Sequence, residues 1–153
     1  MNKVIVTKSP EETIEFARGL SERLRGGDFV ALVGDLGAGK TVFVKGLAKG
    51  IGIEDYMYVN SPSFVILKEY HGKKNLYHFD IYRLEEESFE DTLDYKRYFY
   101  GDGIAVVEWA NKIPDLLPDE YLEVKIAYTE GCNSRKFELN GIGQRFEEVV
   151  ESI

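Results

Sequence analysis

A three-layer α/β sandwich, with helices on both faces of a mixed parallel and antiparallel sheet, is the fold class predicted by three stretches of this 153-residue sequence. The first is an apolar run, Phe29-Val30-Ala31-Leu32-Val33, that opens into Gly34-Asp35-Leu36-Gly37-Ala38-Gly39-Lys40-Thr41 and then into a segment of helical spacing. The second is the pair Phe64 to Tyr70 and Leu76 to Ile81, joined across His71-Gly72-Lys73-Lys74-Asn75, which reads as a hairpin. The third is Ile104-Ala105-Val106-Val107, the most apolar strand candidate in the second half. A strand that feeds a loop and helix belongs to a parallel sheet, whereas a hairpin is antiparallel, so the sheet is expected to be mixed.

The octapeptide after the first strand carries chemistry. It fills the pattern G-x-x-x-x-G-K-[ST] completely. Gly34, Gly37 and Gly39 permit a tight loop whose backbone N–H groups turn inward, and the helix starting near Lys40 adds its positive dipole end. Leu36, Gly37, Ala38 and Gly39 thus supply backbone to an anion cradle. Lys40 can reach the β and γ phosphates of a nucleoside triphosphate, and the Thr41 hydroxyl is placed to ligate the Mg2+ that bridges them. The expected architecture is therefore that of a P-loop NTPase.

The remaining elements follow in order. Val4-Ile5-Val6 is a short strand, and Ser9-Pro10-Glu11-Glu12 is a helix start in which Ser9 caps, Pro10 sits in the first turn and Glu12 completes a capping box. Ile14, Ala17, Leu20 and Leu24 mark the buried stripe of that helix, with Arg18, Glu22 and Arg25 on its wet side. The phosphate-loop helix carries Val42, Phe43, Leu47 and Ile51 and is punctuated by Gly50 and Gly52. Asn60-Ser61-Pro62-Ser63 is a loop. Glu85 to Tyr100 is acidic and then aromatic, with Phe89, Leu93, Tyr95, Tyr98 and Phe99, and is expected to form one or two short helices; the Tyr95 to Tyr100 aromatics read as core rather than as a partner-facing patch. Pro114 and Pro118 bracket a loop, Tyr121 to Tyr128 and Lys136 to Leu139 form a second antiparallel pair, and Arg145 to Ile153 closes as a helix. With no internal repeat or low-complexity linker, residues 1–153 are expected to form a single domain.

Composition narrows the classes. A net charge of −8 and the absence of clustered lysines and arginines argue against a chain that grips nucleic acid by itself, because neutralising phosphates supplies most of that affinity. No apolar run approaches bilayer-spanning length, and a cytoplasmic location is expected. The single cysteine, Cys132, lies in a polar turn and reads as incidental, and with only His71 and His78 available a metal site built from Cys and His is not expected.

A nucleotide hydrolase of this kind needs a further acid at a buried strand end, to hold the magnesium shell or orient the attacking water. Glu108 follows the Ile104 to Val107 run, and Asp80 follows Tyr77-His78-Phe79. Together with the phosphate loop, Ser61-Pro62-Ser63, His78-Phe79-Asp80-Ile81-Tyr82-Arg83 and Val107-Glu108-Trp109 resemble the bacterial TsaE (YjeE-type) ATPases, in order and over nearly the whole chain. The resemblance implies an ATPase required for threonylcarbamoyladenosine (t6A) modification of tRNA, working with the TsaD and TsaB proteins and meeting tRNA only indirectly. It implies ATP and Mg2+ as ligands, Lys40 on the phosphates, Thr41 and Glu108 on magnesium, Asp80 in catalysis and Trp109 beside the nucleotide pocket. Ser63 departs from the family, which usually has threonine there; the hydroxyl is kept and the methyl lost. Arg83 reads either as an arginine finger or as an ion-pair partner of Glu85 or Glu86, and His78 as a packed strand residue.

Two other classes compete. Asn111-Lys112-Ile113-Pro114-Asp115 is near the guanine-reading N-K-x-D pattern, but its spacing is one residue too long for a GTPase switch. A small-molecule kinase would need an acceptor pocket and a cationic lid, and no paired-arginine lid segment is present in the sequence.

Overall fold

The structure is a computed structural model and describes residues 2–34, 39–60, 62, 66–92, 94–131 and 133–153. Strand β1 (Asn2–Thr7) leads into helix α1 (Pro10–Ser21), capped by Ser9, whose side chain accepts the Glu12 N–H at 3.1 Å. The Glu12 carboxylate reaches back to the N–H of Lys8 at 3.1 Å, one residue earlier than the expected box closes. The helix ends at Ser21, so Leu24 enters the core from the turn that follows rather than from the helix stripe, and Arg25 lies beyond the helix.

Seven strands make one sheet among the described residues. With β2 (Phe29–Gly34), β3 (Leu67–His71), β4 (Asn75–Asp80), β5 (Ile104–Glu108), β6 (Tyr121–Tyr128) and β7 (Arg135–Ile142), the order is β1-β7-β6-β2-β5-β4-β3. The four central strands, β6, β2, β5 and β4, run parallel, and the outer pairings are antiparallel. The mixed sheet predicted from the hairpin and the strand-loop-helix unit is thus observed. Its antiparallel pairs occupy the two flanks and leave the parallel strands buried at the centre.

The strand predicted from Phe64 begins at Leu67. Ile66 has φ of 71°, a left-handed conformation that a β-branched residue adopts only under constraint and that cannot continue a strand. Phe64 and Val65 lie outside the described residues, as do Asp35, Leu36, Gly37, Ala38, Ser61, Ser63, Leu93 and Cys132.

Strand alternation divides the core in two. Val30, Leu32, Ile104, Val106, Leu122 and Val124 face α1, α2 (Lys40–Gly50) and α5 (Gln144–Glu151). Phe29, Ala31, Ala105, Val107 and Phe79 face α3 (Glu86–Thr92) and α4 (Tyr95–Phe99). The second layer is aromatic: Phe29 and Phe79 meet Phe99 edge-on at 4.7 and 5.4 Å, and Phe89 lies 5.4 Å from Tyr95. Each such pair contributes about 0.5–1.5 kcal/mol beyond the burial of its rings. Phe89, Tyr95 and Phe99 therefore serve as core, with Tyr98 packed against it, whereas Tyr100 is exposed.

Helices α1 and α2 approach closely where a glycine allows it. A β-carbon on Gly46 would stand 2.5 Å from both the Ala17 methyl and the Ile14 carbonyl oxygen. That contact seats α2 on the sheet directly after β2. At the far end of β2, Arg145 of α5 pairs with Asp28 at 2.7 Å. No helix of the described residues is long and apolar enough to cross a membrane.

Candidate active site

The carboxyl ends of β2, β5 and β4 lie side by side, and β5 and β4 each contribute an acid. Leu32, Glu108 and Asp80 stand in register across these parallel strands. Residues in register on neighbouring parallel strands share a face, about 4.8 Å apart. Asp80 alternates with Leu76 and His78, and Glu108 with Ile104 and Val106, so both carboxylates project on the side covered by α2. Both are buried, at 5% and 2% exposure. Isolated acids at strand ends are usually exposed, so burial of this pair marks a site rather than a surface.

The start of α2 faces the same ground. Gly39 takes φ of 103° before the first helical turn, with no side chain capping that turn. The first N–H groups of α2 therefore point out of the helix with no partner inside it. Lys40, also buried, donates from Nζ to the Gly34 carbonyl at 2.8 Å and lies 4.6 Å from the centre of the Trp109 ring. A buried ammonium over an indole gains about 2 kcal/mol, so this arrangement holds the cation beside its own loop. Thr41, the second helical residue, is half-buried.

Backbone constraint surrounds both acids. Trp109 has φ of 66°, which ends β5 at Glu108, and its N–H donates to Leu32 O at 3.0 Å. Its ring packs 4.9 Å from Tyr82. Asp80 accepts the Tyr82 N–H on Oδ1 at 3.0 Å, and its own N–H donates to Ile66 O at 2.8 Å. Ile66 and Trp109 are the two non-glycine residues at positive φ among the described residues, and each touches the segment carrying an acid. Strain of this kind costs about 1–3 kcal/mol per residue and clusters where geometry matters to function.

His78 is completely buried, with Nε2 2.5 Å from Glu108 Oε2 and with Nδ1 lacking a partner among the described residues. As the partner of an ionised carboxylate, which only accepts, Nε2 would be the nitrogen that carries the hydrogen.

Known proteins resemble this chain in sequence and in fold. Residues 7–137 match the family model described as threonylcarbamoyl adenosine biosynthesis protein TsaE. A Bacillus subtilis protein named tRNA threonylcarbamoyladenosine biosynthesis protein TsaE is 44% identical over 96% of this chain and 90% of its own length. A protein of the same name from Nostoc is 36% identical over 98% of this chain and 92% of its own. The chain belongs to the TsaE family. The crystal structure of Bacillus subtilis YdiB superposes with a TM-score of 0.82 at 36% identity, covering 99% of this chain and 93% of that one.

Of the residues predicted for a TsaE site, the structure brings Lys40 and Trp109 into contact, sets Asp80 beside Glu108, and puts Thr41 next to Lys40. Leu36, Gly37 and Ala38 lie outside the described residues, and Gly39 is the last loop residue seen before α2. Arg83 is exposed in the turn after Asp80. Asn111 and Lys112 lie in a 3₁₀ turn from which Lys112 Nζ donates to Tyr82 O at 2.6 Å, so that lysine is engaged with the segment that follows Asp80.

Two residues escape sequence reasoning. Arg135, at the start of β7, places side-chain atoms 3.7–3.9 Å from where a β-carbon on Gly39 would be, and its guanidinium lies 4.4 Å from the Tyr128 ring centre. With Gly39, Pro10, Thr13, Val42 and Asn133, it lines a cleft beside the loop. Only the pairing of β7 across the sheet brings it there, and no local motif announces that. The second is His78, whose contact with Glu108 depends on strand register across 30 residues.

Proposed function

We propose that this TsaE chain binds ATP with Mg2+ at the Gly34 to Thr41 loop, hydrolyses it, and so serves t6A modification of tRNA together with TsaD and TsaB. The observation that carries this reading is the register of Asp80 and Glu108 on the face covered by α2, whose first residue is Lys40. Two acids, a lysine and a helix start on one buried face suit phosphoryl transfer, which asks the protein chiefly for positioning and electrostatic stabilisation.

The donor set fits magnesium. Thr41 and Glu108 offer hard oxygen ligands, and magnesium is commonly held by one or two carboxylates together with substrate phosphates. Held by these residues, such an ion would supply charge neutralisation for the phosphates. Lys40 would exchange the Gly34 carbonyl for a phosphate oxygen. Asp80, fixed by the Tyr82 N–H and by Ile66 O, is oriented to hold an attacking water. Trp109 would border the nucleotide. The net charge of −8 favours tRNA contact through the partner proteins.

Binding and turnover separate these roles. Lys40→Ala is expected to weaken nucleotide binding, whereas Glu108→Ala should keep much of the affinity and lose turnover on the order of 100-fold. Undiminished hydrolysis in the Glu108 variant would remove that residue from the site. A clear preference for GTP, or transfer of phosphate to a metabolite, would overturn the ATPase reading. In a multiple-turnover reaction rebuilt from TsaD, TsaB, tRNA and a threonylcarbamoyl donor, modification is expected to require this chain and ATP; independence from either would overturn the pathway role.

A further inference from the structure

We infer that His78 is a positioning residue for the metal site: its buried Nε2–H holds one oxygen of Glu108 so that the other meets the magnesium of a bound nucleotide. The inference rests on the proposed magnesium site and adds to it a residue that touches neither the ion nor the nucleotide.

Three observations carry it. The first is register. His78 stands opposite Val106, whereas Glu108 lies two residues further along β5, so the Nε2 to Oε2 contact at 2.5 Å runs diagonally between the strands. Diagonal neighbours at this spacing are within reach of long side chains only, which gives a reason for glutamate rather than aspartate at position 108. The second is burial. His78 is 0% and Glu108 2% exposed, so solvent competes little for the bond between them.

The third observation distinguishes this histidine from an ordinary core residue. Nδ1 is buried and has no partner among the described residues, so the contact with Glu108 is the hydrogen bond that orients the ring. An imidazole kept for packing alone would be better served by an apolar ring of the same size, since the unpaired nitrogen is a net loss. The unpaired atom is tolerated at the position where the other nitrogen is committed to a candidate metal ligand. Hydrogen bonds to the outer oxygen of a ligating carboxylate fix its orientation, and their removal commonly weakens metal binding about 10–100-fold.

The test compares His78→Leu and His78→Gln in the full chain, with Mn2+ as the probe ion. The Gln side chain carries an N–H donor that can replace Nε2–H. Electron paramagnetic resonance of Mn2+ in the ADP complex gives metal affinity, and calorimetry without divalent ions gives nucleotide affinity. His78→Leu is expected to weaken Mn2+ binding about 10–100-fold while leaving metal-free nucleotide affinity unchanged, and His78→Gln is expected to restore most of the loss. In the Glu108→Gln background, His78→Leu should weaken Mn2+ binding no further. Unchanged Mn2+ affinity in a folded His78→Leu variant overturns the inference, as does an equal loss in both backgrounds. Should His78→Leu fail to fold, the comparison moves to His78→Gln against His78→Phe, with the same criteria. If the unaltered chain with ADP binds no Mn2+, the proposed metal site fails along with this inference; if it does bind and His78→Leu binds Mn2+ equally well, the inference alone fails.

Discussion

Lys40 rests on the Gly34 carbonyl and the Trp109 ring, and both contacts must break if the ammonium is to reach a phosphate. Trp109 is the single tryptophan of the chain, so its emission reports on that movement. Nucleotide binding is expected to change the fluorescence of the native chain, and Lys40→Ala to shift the baseline and abolish the change. A constant emission at nucleotide saturation, with binding verified by calorimetry, would mean that Lys40 stays where it is. At this scale the site was largely legible, because Lys40, Thr41, Asp80 and Glu108 sit in patterns that constrain residue type at fixed spacing. His78 was not. It lies inside one of the same patterns, yet its role depends on which residue of β5 stands beside β4, and strand register is not written into either strand alone.

Two glycines show how local propensity and packing diverge along α1 and α2. Alanine outranks glycine in a helix interior, so both Gly19→Ala and Gly46→Ala would be stabilising by propensity alone. At Gly19 a β-carbon meets nothing within 4 Å, and that substitution is expected to raise stability by about 0.5–1 kcal/mol. At Gly46 the same carbon collides with Ala17 and Ile14 O, so the helices must separate, at a cost of about 1–3 kcal/mol. Urea denaturation of the two variants should give shifts of opposite sign; a stabilised Gly46→Ala would refute the close approach of α1 to α2. Helix positions were readable because caps and periodicity are local, as at Ser9. The start of β3 was not, because the left-handed turn at Ile66 is imposed by Pro62, whose carbonyl accepts the Ile66 N–H at 2.6 Å, and by Asp80 across the hairpin. Nothing in an isoleucine predicts such a conformation.

For the molecule as a whole, the class of sheet was legible and its order was not. Apolar runs at 29–33 and 104–107 read as buried strands, but their adjacency, and the insertion of β6 and β7 between β2 and β1, arise from which faces need covering. That order also dictates when the phosphate loop can exist during synthesis. Strand β2 is made early, yet its two neighbours are β5 and β6, so it is not flanked on both sides until β6 has been added. Strand β1 waits longer, for β7. Such long-range pairing delays folding until loop closure over most of the chain has occurred. Nascent chains halted before β6 are therefore expected to be protease-sensitive and to gain no protection from ATP, whereas chains extended past Glu151 should acquire both resistance and nucleotide protection together. Nucleotide protection of a chain ending before Tyr121 would contradict this order. A loop that begins at Gly34 thus depends on a sheet whose last strand ends at Ile142, so that any ligand of this loop would sense only chains in which the whole sheet has closed.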